Sequence, residues 1–214
     1  MKSDGIVLRH VLEHVSSPFA FLSAIAEANG NVGKIYIEVP CLDWICEHRA
    51  WFDIFYEHVN YFRLADFRRM FGKIHDSGHV FGGQYLYAVA DLATLHKPQL
   101  EKSDAFSFPQ DFLSDIGRMA EIAKGKRSAI WGGASKGVIF ALYMLRKDVH
   151  IEHVIDINPA KQNKFLGATG LKVASPEDAM NTLQPGDDIF VMNSNYLDEI
   201  VALSNNQFNY VRVD

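Results

Sequence analysis

Twice in this chain a short apolar run stops at a polar or glycine-rich elbow and gives way to a helical period. That alternation restricts the fold more than any other feature. Asp4-Gly5-Ile6-Val7-Leu8-Arg9 ends in His10-Val11-Leu12-Glu13-His14-Val15, after which Ser16-Ser17-Pro18 offers a hydroxyl cap and a first-turn proline. Phe19, Phe21, Leu22, Ile25 and Ala26 then recur at helical spacing. Asn29-Gly30-Asn31 stops the helix, and Gly33 to Pro40 reads as a buried strand. Strand, elbow, helix, break and strand predict a unit of a parallel α/β sheet, because parallel neighbours need a crossover between them.

The second occurrence starts near Lys126. Arg127 to Trp131 predicts a strand, Gly132-Gly133-Ala134-Ser135-Lys136-Gly137 a tight turn, and Val138 to Arg146 an apolar helix. The turn fits a G-x-G-x-x-G pattern with Ala134 at the middle glycine, where a methyl crowds a pyrophosphate. Asp156 follows nineteen residues after Gly137, about where a ribose-binding acid stands in dinucleotide folds. Lys136 adds positive charge where a helix N-terminus already favours anions. Two readings of Gly132, Gly133, Lys136 and Gly137 stay open: a nucleotide-binding turn, or a turn whose small residues let strand and helix pack.

In such sheets ligands bind beyond the carboxyl ends of the strands. His10, Glu13, His14 and Glu38 fall at or near those ends, and Asp53-Ile54-Phe55-Tyr56-Glu57-His58-Val59-Asn60-Tyr61-Phe62 follows the second one. An imidazole held among aromatics beside a carboxylate is suited to proton transfer near neutral pH. The plain alternative is a solvated pair, Glu57 and His58, on an aromatic turn. A metal across His10 and His14 is the lesser reading, since Glu13 does not fit the order His-Glu-x-x-His. Cys41 and Cys46 lack the second pair a zinc site needs, so no metal is expected.

Composition removes several classes of function. A formal net charge of −5 gives no basic footprint for nucleic acid. Only two cysteines, compatible with a reducing compartment, together with no apolar run of membrane-spanning length and no signal-peptide core, predict a cytoplasmic protein.

Between the two units, Leu64 to Phe71 predicts a helix, His79 to Val89 a strand, glycine break and strand, and Asp111 to Lys124 an amphipathic helix. The expected organisation is a first domain over 1–92, a helical connector over 93–125 and a Rossmann-like domain over 126–214.

Several segments in order carry a family resemblance: Arg9 to Val15, Tyr36-Ile37-Glu38-Val39-Pro40, Glu57-His58 with Tyr61-Phe62, Ile130 to Gly137, Val154 to Gln162, and Asn193 to Ile200. Together they resemble the sugar C-methyltransferases of deoxysugar biosynthesis. The resemblance implies a partial class I methyltransferase sheet, closed by an antiparallel pair, and a second Rossmann-like α/β domain. It implies S-adenosylmethionine as methyl donor and a nucleotide-linked keto-sugar as substrate. His58 would be the base and Glu57 its orienting or sugar-binding neighbour. His14, Glu38 and Tyr61 would line the substrate pocket, and Arg9 and His10 would flank the cofactor.

Two departures from the family pattern shape the expectation. The family's zinc-binding domain and Gly-rich cofactor loop have no counterpart before Met1, and Phe55 stands where the family usually has tyrosine. The chain alone is therefore expected to bind S-adenosylmethionine weakly. Its apolar first strand is expected to be covered by another copy or by a preceding half of the enzyme. A non-catalytic sugar-nucleotide-binding or assembly module, or a dinucleotide-dependent enzyme, are the alternatives.

Overall fold

The computed structural model describes residues 2–99 and 105–213; part of the expected connector, 100–104, lies outside them. The chain divides into two compact units, Met1–Phe112 and Leu113–Asp214.

In the first unit, β1 (Gly5–Arg9) runs parallel to β2 (Lys34–Pro40), with Leu8 opposite Ile37 and Arg9 opposite Glu38. The crossover is α1 (Pro18–Ala28), which turns Leu22 and Ala26 into the core. Ser17 occupies the N-cap of α1, but its hydroxyl makes no capping bond, contrary to the sequence pattern; its φ of −130° and ψ of 76° depart from the usual extended cap. Short α2 (Leu42–Glu47) and α3 (Leu64–Met70) follow β2. An antiparallel pair closes the sheet in the order β1-β2-β4-β3, with β3 at Ile74–Val80 and β4 at Tyr85–Asp91. Strand β3 begins five residues before His79, through a polar stretch whose side chains are half-buried or exposed, so hydrophobic pattern alone did not mark it. Strand β4 alternates buried and half-buried positions, with Leu86, Ala88 and Ala90 facing a core that includes Ile35, Ile37, Leu22, Leu12 and Phe67.

In the second unit, α4 (Ser114–Ala123) precedes a fully parallel sheet of order β7-β6-β5-β8-β9. Its strands are β5 (Ser128–Trp131), β6 (His153–Ile155), β7 (Val173–Ala174), β8 (Asp188–Val191) and β9 (Asn209–Arg212). Strands β5 and β8 are buried along their whole length, as expected of central parallel strands. The connecting helices are α5 (Ser135–Arg146), α6 (Pro176–Met180) and α7 (Leu197–Leu203). Among the described residues, no helix is long and apolar enough to cross a membrane.

Candidate functional site

The chain turns sharply after β1. His10 has a φ of 53°, in the left-handed region that histidine tolerates better than most residues, and its amide donates to the Glu38 carbonyl at 3.0 Å. A 3-10 turn, Leu12–His14, follows at once and buries Leu12 and Glu13. The end of β1 thus folds back over the end of β2, and groups distant in sequence meet there.

Glu38 is the anchor of this rim. It is 4% exposed, and its carboxylate accepts from Arg9 Nε at 3.0 Å and from the Tyr36 hydroxyl at 2.5 Å. Burial pushes its carboxyl up, but the Tyr36 and Arg9 bonds outweigh this and hold it below the ordinary carboxylate value. Burial and the same bond push the Tyr36 phenol up to about 12. His10 Nε2 lies 3.4 Å from Glu38, and its Nδ1 lies 3.6 Å from Glu13. Its ring meets Tyr85 edge-on at 4.8 Å.

The aromatic segment is fastened to this rim through backbone. The Glu13 carbonyl accepts from the amides of Val59 (2.9 Å) and Asn60 (3.1 Å), and the Asn60 side chain donates to the Val15 carbonyl. Phe62 bridges to Cys41 just past β2, and its carbonyl accepts from the Leu42 amide at 2.9 Å. These ties bring His58 to His14, with ring centroids 5.1 Å apart. Phe55 packs on His58 at 4.1 Å, and Tyr61 lies edge-on at 6.1 Å. His14 Nδ1 donates to the Glu57 carbonyl at 2.8 Å, and His58 Nδ1 donates to the Asp53 carbonyl at 3.2 Å. A carbonyl can only accept, so both neutral rings keep the lone pair on Nε2. Burial pushes the His58 imidazole below its usual 6.5, against a smaller opposing pull from the Asp53 carbonyl.

Seven of the sequence-derived candidates therefore belong to one rim: Arg9, His10, His14, Glu38, Glu57, His58 and Tyr61. Glu57 contributes its carbonyl to His14, while its residue is exposed. Tyr61 also lines a groove of about 290 Å³ with Phe19, Asp66 and Met70. Glu13, placed at these strand ends by the sequence, joins the rim as well, while Tyr36 and Tyr85 are rim members that sequence reasoning did not select. Tyr36 stands two residues before Glu38 on the same face of β2, a period-two signal that marks it. Tyr85, on another strand, carries no such signal.

Glu13 is the least satisfied group of the rim. It is 1% exposed, and among the described residues neither carboxylate oxygen has a hydrogen-bond donor. Burial pushes its carboxyl up, outweighing opposing pulls from its own backbone amide and from His14 and His10. One ligand atom each from Glu13, His14 and His58 lies within 4.8 Å of the others.

The glycine turn of the second unit differs from its sequence reading. Helix α5 starts at Ser135, with Ala134 as N-cap, so Lys136 and Gly137 lie in its first turn rather than before it. A Cβ at Gly137 would stand 1.9 Å from the Gly132 carbonyl oxygen, so close packing of helix on turn requires glycine there. Gly132 itself has a φ of 120°. Asp156 accepts from the Gly133 amide (2.9 Å), the Asn158 amide (2.9 Å) and Lys161 Nζ (3.0 Å). Burial pushes its carboxyl up, but these donors hold it below the usual value. Asp156 thus ties the end of β6 to the turn, and most of its acceptor capacity is taken by the chain itself. Beside it a crevice of about 400 Å³, lined by Trp131, Gly132, Ser135, Ile157, Asn193 and Tyr196 among others, opens beyond the carboxyl ends of the parallel strands.

Comparison with known proteins agrees with this division. The methyltransferase domain family matches residues 2–74, within the first unit, and the C-methyltransferase C-terminal domain matches residues 109–210, over the second. No curated protein matches the chain. Two solved structures share limited likeness. One is described as RSP in complex with beta-NAD+ and operator DNA (TM-score 0.32, 13% identity, 45% of this chain and 56% of that one). The other is a thermostable alcohol dehydrogenase from Pyrobaculum aerophilum (TM-score 0.36, 23% identity, 61% of this chain and 40% of that one). The chain thus spans about half the length of these proteins or less. The mixed α/β architecture of the first unit is that of a class I methyltransferase sheet, and the two matches, a methyltransferase domain followed by a C-methyltransferase C-terminal domain, are consistent with the C-methyltransferase family.

Proposed function

We propose that the rim at the ends of β1 and β2 is the substrate side of a carbon-methylating site acting on a nucleotide-linked keto-sugar. The observation that carries this reading is His58. Its Nδ1–H is held by the Asp53 carbonyl, its Nε2 lone pair is free to accept a proton, and burial keeps the ring neutral. A proton on the carbon next to a ketone is acidic enough for such a base once the ketone oxygen is hydrogen-bonded. His58 Nε2 takes that proton, and the pair left behind forms the sugar enolate. His14, oriented by the Glu57 carbonyl, and Tyr61 stand beside His58 to bind sugar hydroxyls. Glu57 acts in this scheme as a positioning residue or a sugar contact.

S-adenosylmethionine is the methyl donor of this reading, and when bound it supplies an electrophilic methyl group for the enolate carbon. The residues that would face a cationic sulfonium on this rim are Glu13 and Glu38, both buried, and Tyr85, whose ring meets His10 edge-on. Arg9 and His10, both tied to Glu38, border that side. The partners proposed are thus the sugar nucleotide and a second copy of the chain along β1.

Solvent exchange tests the chemistry without any methyl donor. In deuterated buffer containing a chelator, the chain should wash out the proton α to the ketone of a nucleotide-linked keto-sugar, followed by proton NMR. His58→Asn should slow this by about a hundred- to ten-thousand-fold while leaving sugar-nucleotide binding largely intact. Exchange that proceeds equally well in His58→Asn removes His58 as the base.

A further inference from the structure

We infer that Glu13, His14 and His58 form a binding site for a divalent first-row transition ion of the zinc type. This inference goes beyond the proton-transfer reading and does not depend on it.

Three independent features carry the assignment. The first is the state of Glu13, a carboxylate 1% exposed for which no described residue donates a hydrogen bond. Its nearest basic group is His10 Nδ1 at 3.6 Å, which already faces Glu38 as well. Buried carboxylates are ordinarily paired, hydrogen-bonded or metal-bound, and an oxygen of this one lies within 4.8 Å of a ring nitrogen of each of two further imidazoles.

The second feature is the fixing of both rings. His14 and His58 each donate Nδ1–H to a main-chain carbonyl, of Glu57 at 2.8 Å and of Asp53 at 3.2 Å. Metal-binding histidines are held in this way, because the outer bond sets the tautomer and orients the other nitrogen. Nothing in the sequence around either histidine announces it, since both acceptors are backbone atoms.

The third is distance. One ligand atom from each of the three residues lies within 4.8 Å of the other two. Ligands about 2.1 Å from a tetrahedral ion stand about 3.4 Å apart, so small side-chain rotations close the triad. His14 is exposed and His58 half-buried, which leaves the site open to solvent on one side. Two imidazoles and one carboxylate suit zinc, cobalt or nickel, whereas magnesium and calcium prefer oxygen throughout. A fourth position remains for water or an oxygen ligand.

Coordination would occupy the His58 Nε2 lone pair. An ion and proton abstraction therefore exclude each other at His58, and the ion acts as a competitor of base chemistry rather than its cofactor.

The test is titration of the chelator-stripped full chain with Co²⁺, read by visible absorption. One Co²⁺ per chain should bind saturably and be displaced by Zn²⁺. Glu13→Gln and His14→Asn should each weaken binding at least tenfold, with folding checked by circular dichroism; His14 is exposed, so its variant keeps the fold. The double variant Cys41→Ser, Cys46→Ser should bind as the parent does, which excludes thiolate ligands. No saturable spectrum, or one that survives both triad variants, overturns the inference. The readout involves neither sugar nor methyl donor, so its failure leaves the exchange experiment standing, and the reverse holds too.

Discussion

At the scale of single residues, the rim balances two buried carboxylates in opposite ways. Glu38 has its charge met by Arg9 and Tyr36, while the nearest basic group to Glu13 is the His10 imidazole at 3.6 Å, beyond hydrogen-bond distance. Burial raises the Glu13 pKa above its unfolded value of 4.5, so the native state holds that proton more tightly than the unfolded chain. The resulting stabilisation is complete below that value and is lost as pH rises through the folded pKa. A neutral amide keeps it at every pH. Glu13→Gln should therefore stabilise the metal-free chain at pH 8 by on the order of 1 kcal/mol, the usual cost of an unsatisfied buried polar group. The gain should narrow as pH falls toward 4.5, and scanning fluorimetry across that range checks it. A destabilised variant at pH 8 would show that Glu13 is satisfied in solution. His58 gives the opposite slope: its lowered pKa means exchange should persist somewhat below pH 6.5 and fall as pH drops through the folded value.

At the scale of elements, two devices position the sites. In the second unit the packing of α5 on its turn depends on Gly137, whose Cβ would stand 1.9 Å from the Gly132 carbonyl. Gly137→Ala should cost about 1–3 kcal/mol, the range for overpacking, seen as a lowered midpoint in urea; an unchanged midpoint would mean the turn relaxes freely. In the first unit, β1 pairs only with β2 among the described residues, and Val7 on it is 65% exposed. An apolar edge of this kind recruits another strand. Light scattering should show association of the chain, and Val7→Lys should shift it toward monomer. A monomer at high concentration in the unaltered chain would count against the pairing.

At the scale of the whole molecule, each unit has its own sheet and its own core. Ile35, Ile37, Leu86 and Phe67 belong to the first, and Ala129, Ile155, Ile189 and Val191 to the second. Fragments 1–112 and 113–214 should each fold, shown by native-like circular dichroism and a cooperative melt. Failure of either fragment alone would mean that its core is not sufficient.

The sequence by itself determined the elements that depend on neighbours a few residues away. The strands at Ile6 to Leu8 and Ile35 to Val39, the helix stop at Asn29-Gly30-Asn31 and the glycine turn were legible, because period and breaker residues act locally. The clustering of ionisable groups at one rim was also legible, since parallel strands bring their carboxyl ends to the same side. Only the tertiary structure decided what those groups do to one another. The bond from His14 to the Glu57 carbonyl spans 43 residues, and the bond from Gly133 to Asp156 spans 23. Neither leaves a periodic trace in the chain. The isolation of Glu13 and the consumption of Asp156 both follow from such distant contacts: burial and hydrogen-bond capacity are properties of the packed surroundings, not of the residues a few places along the chain.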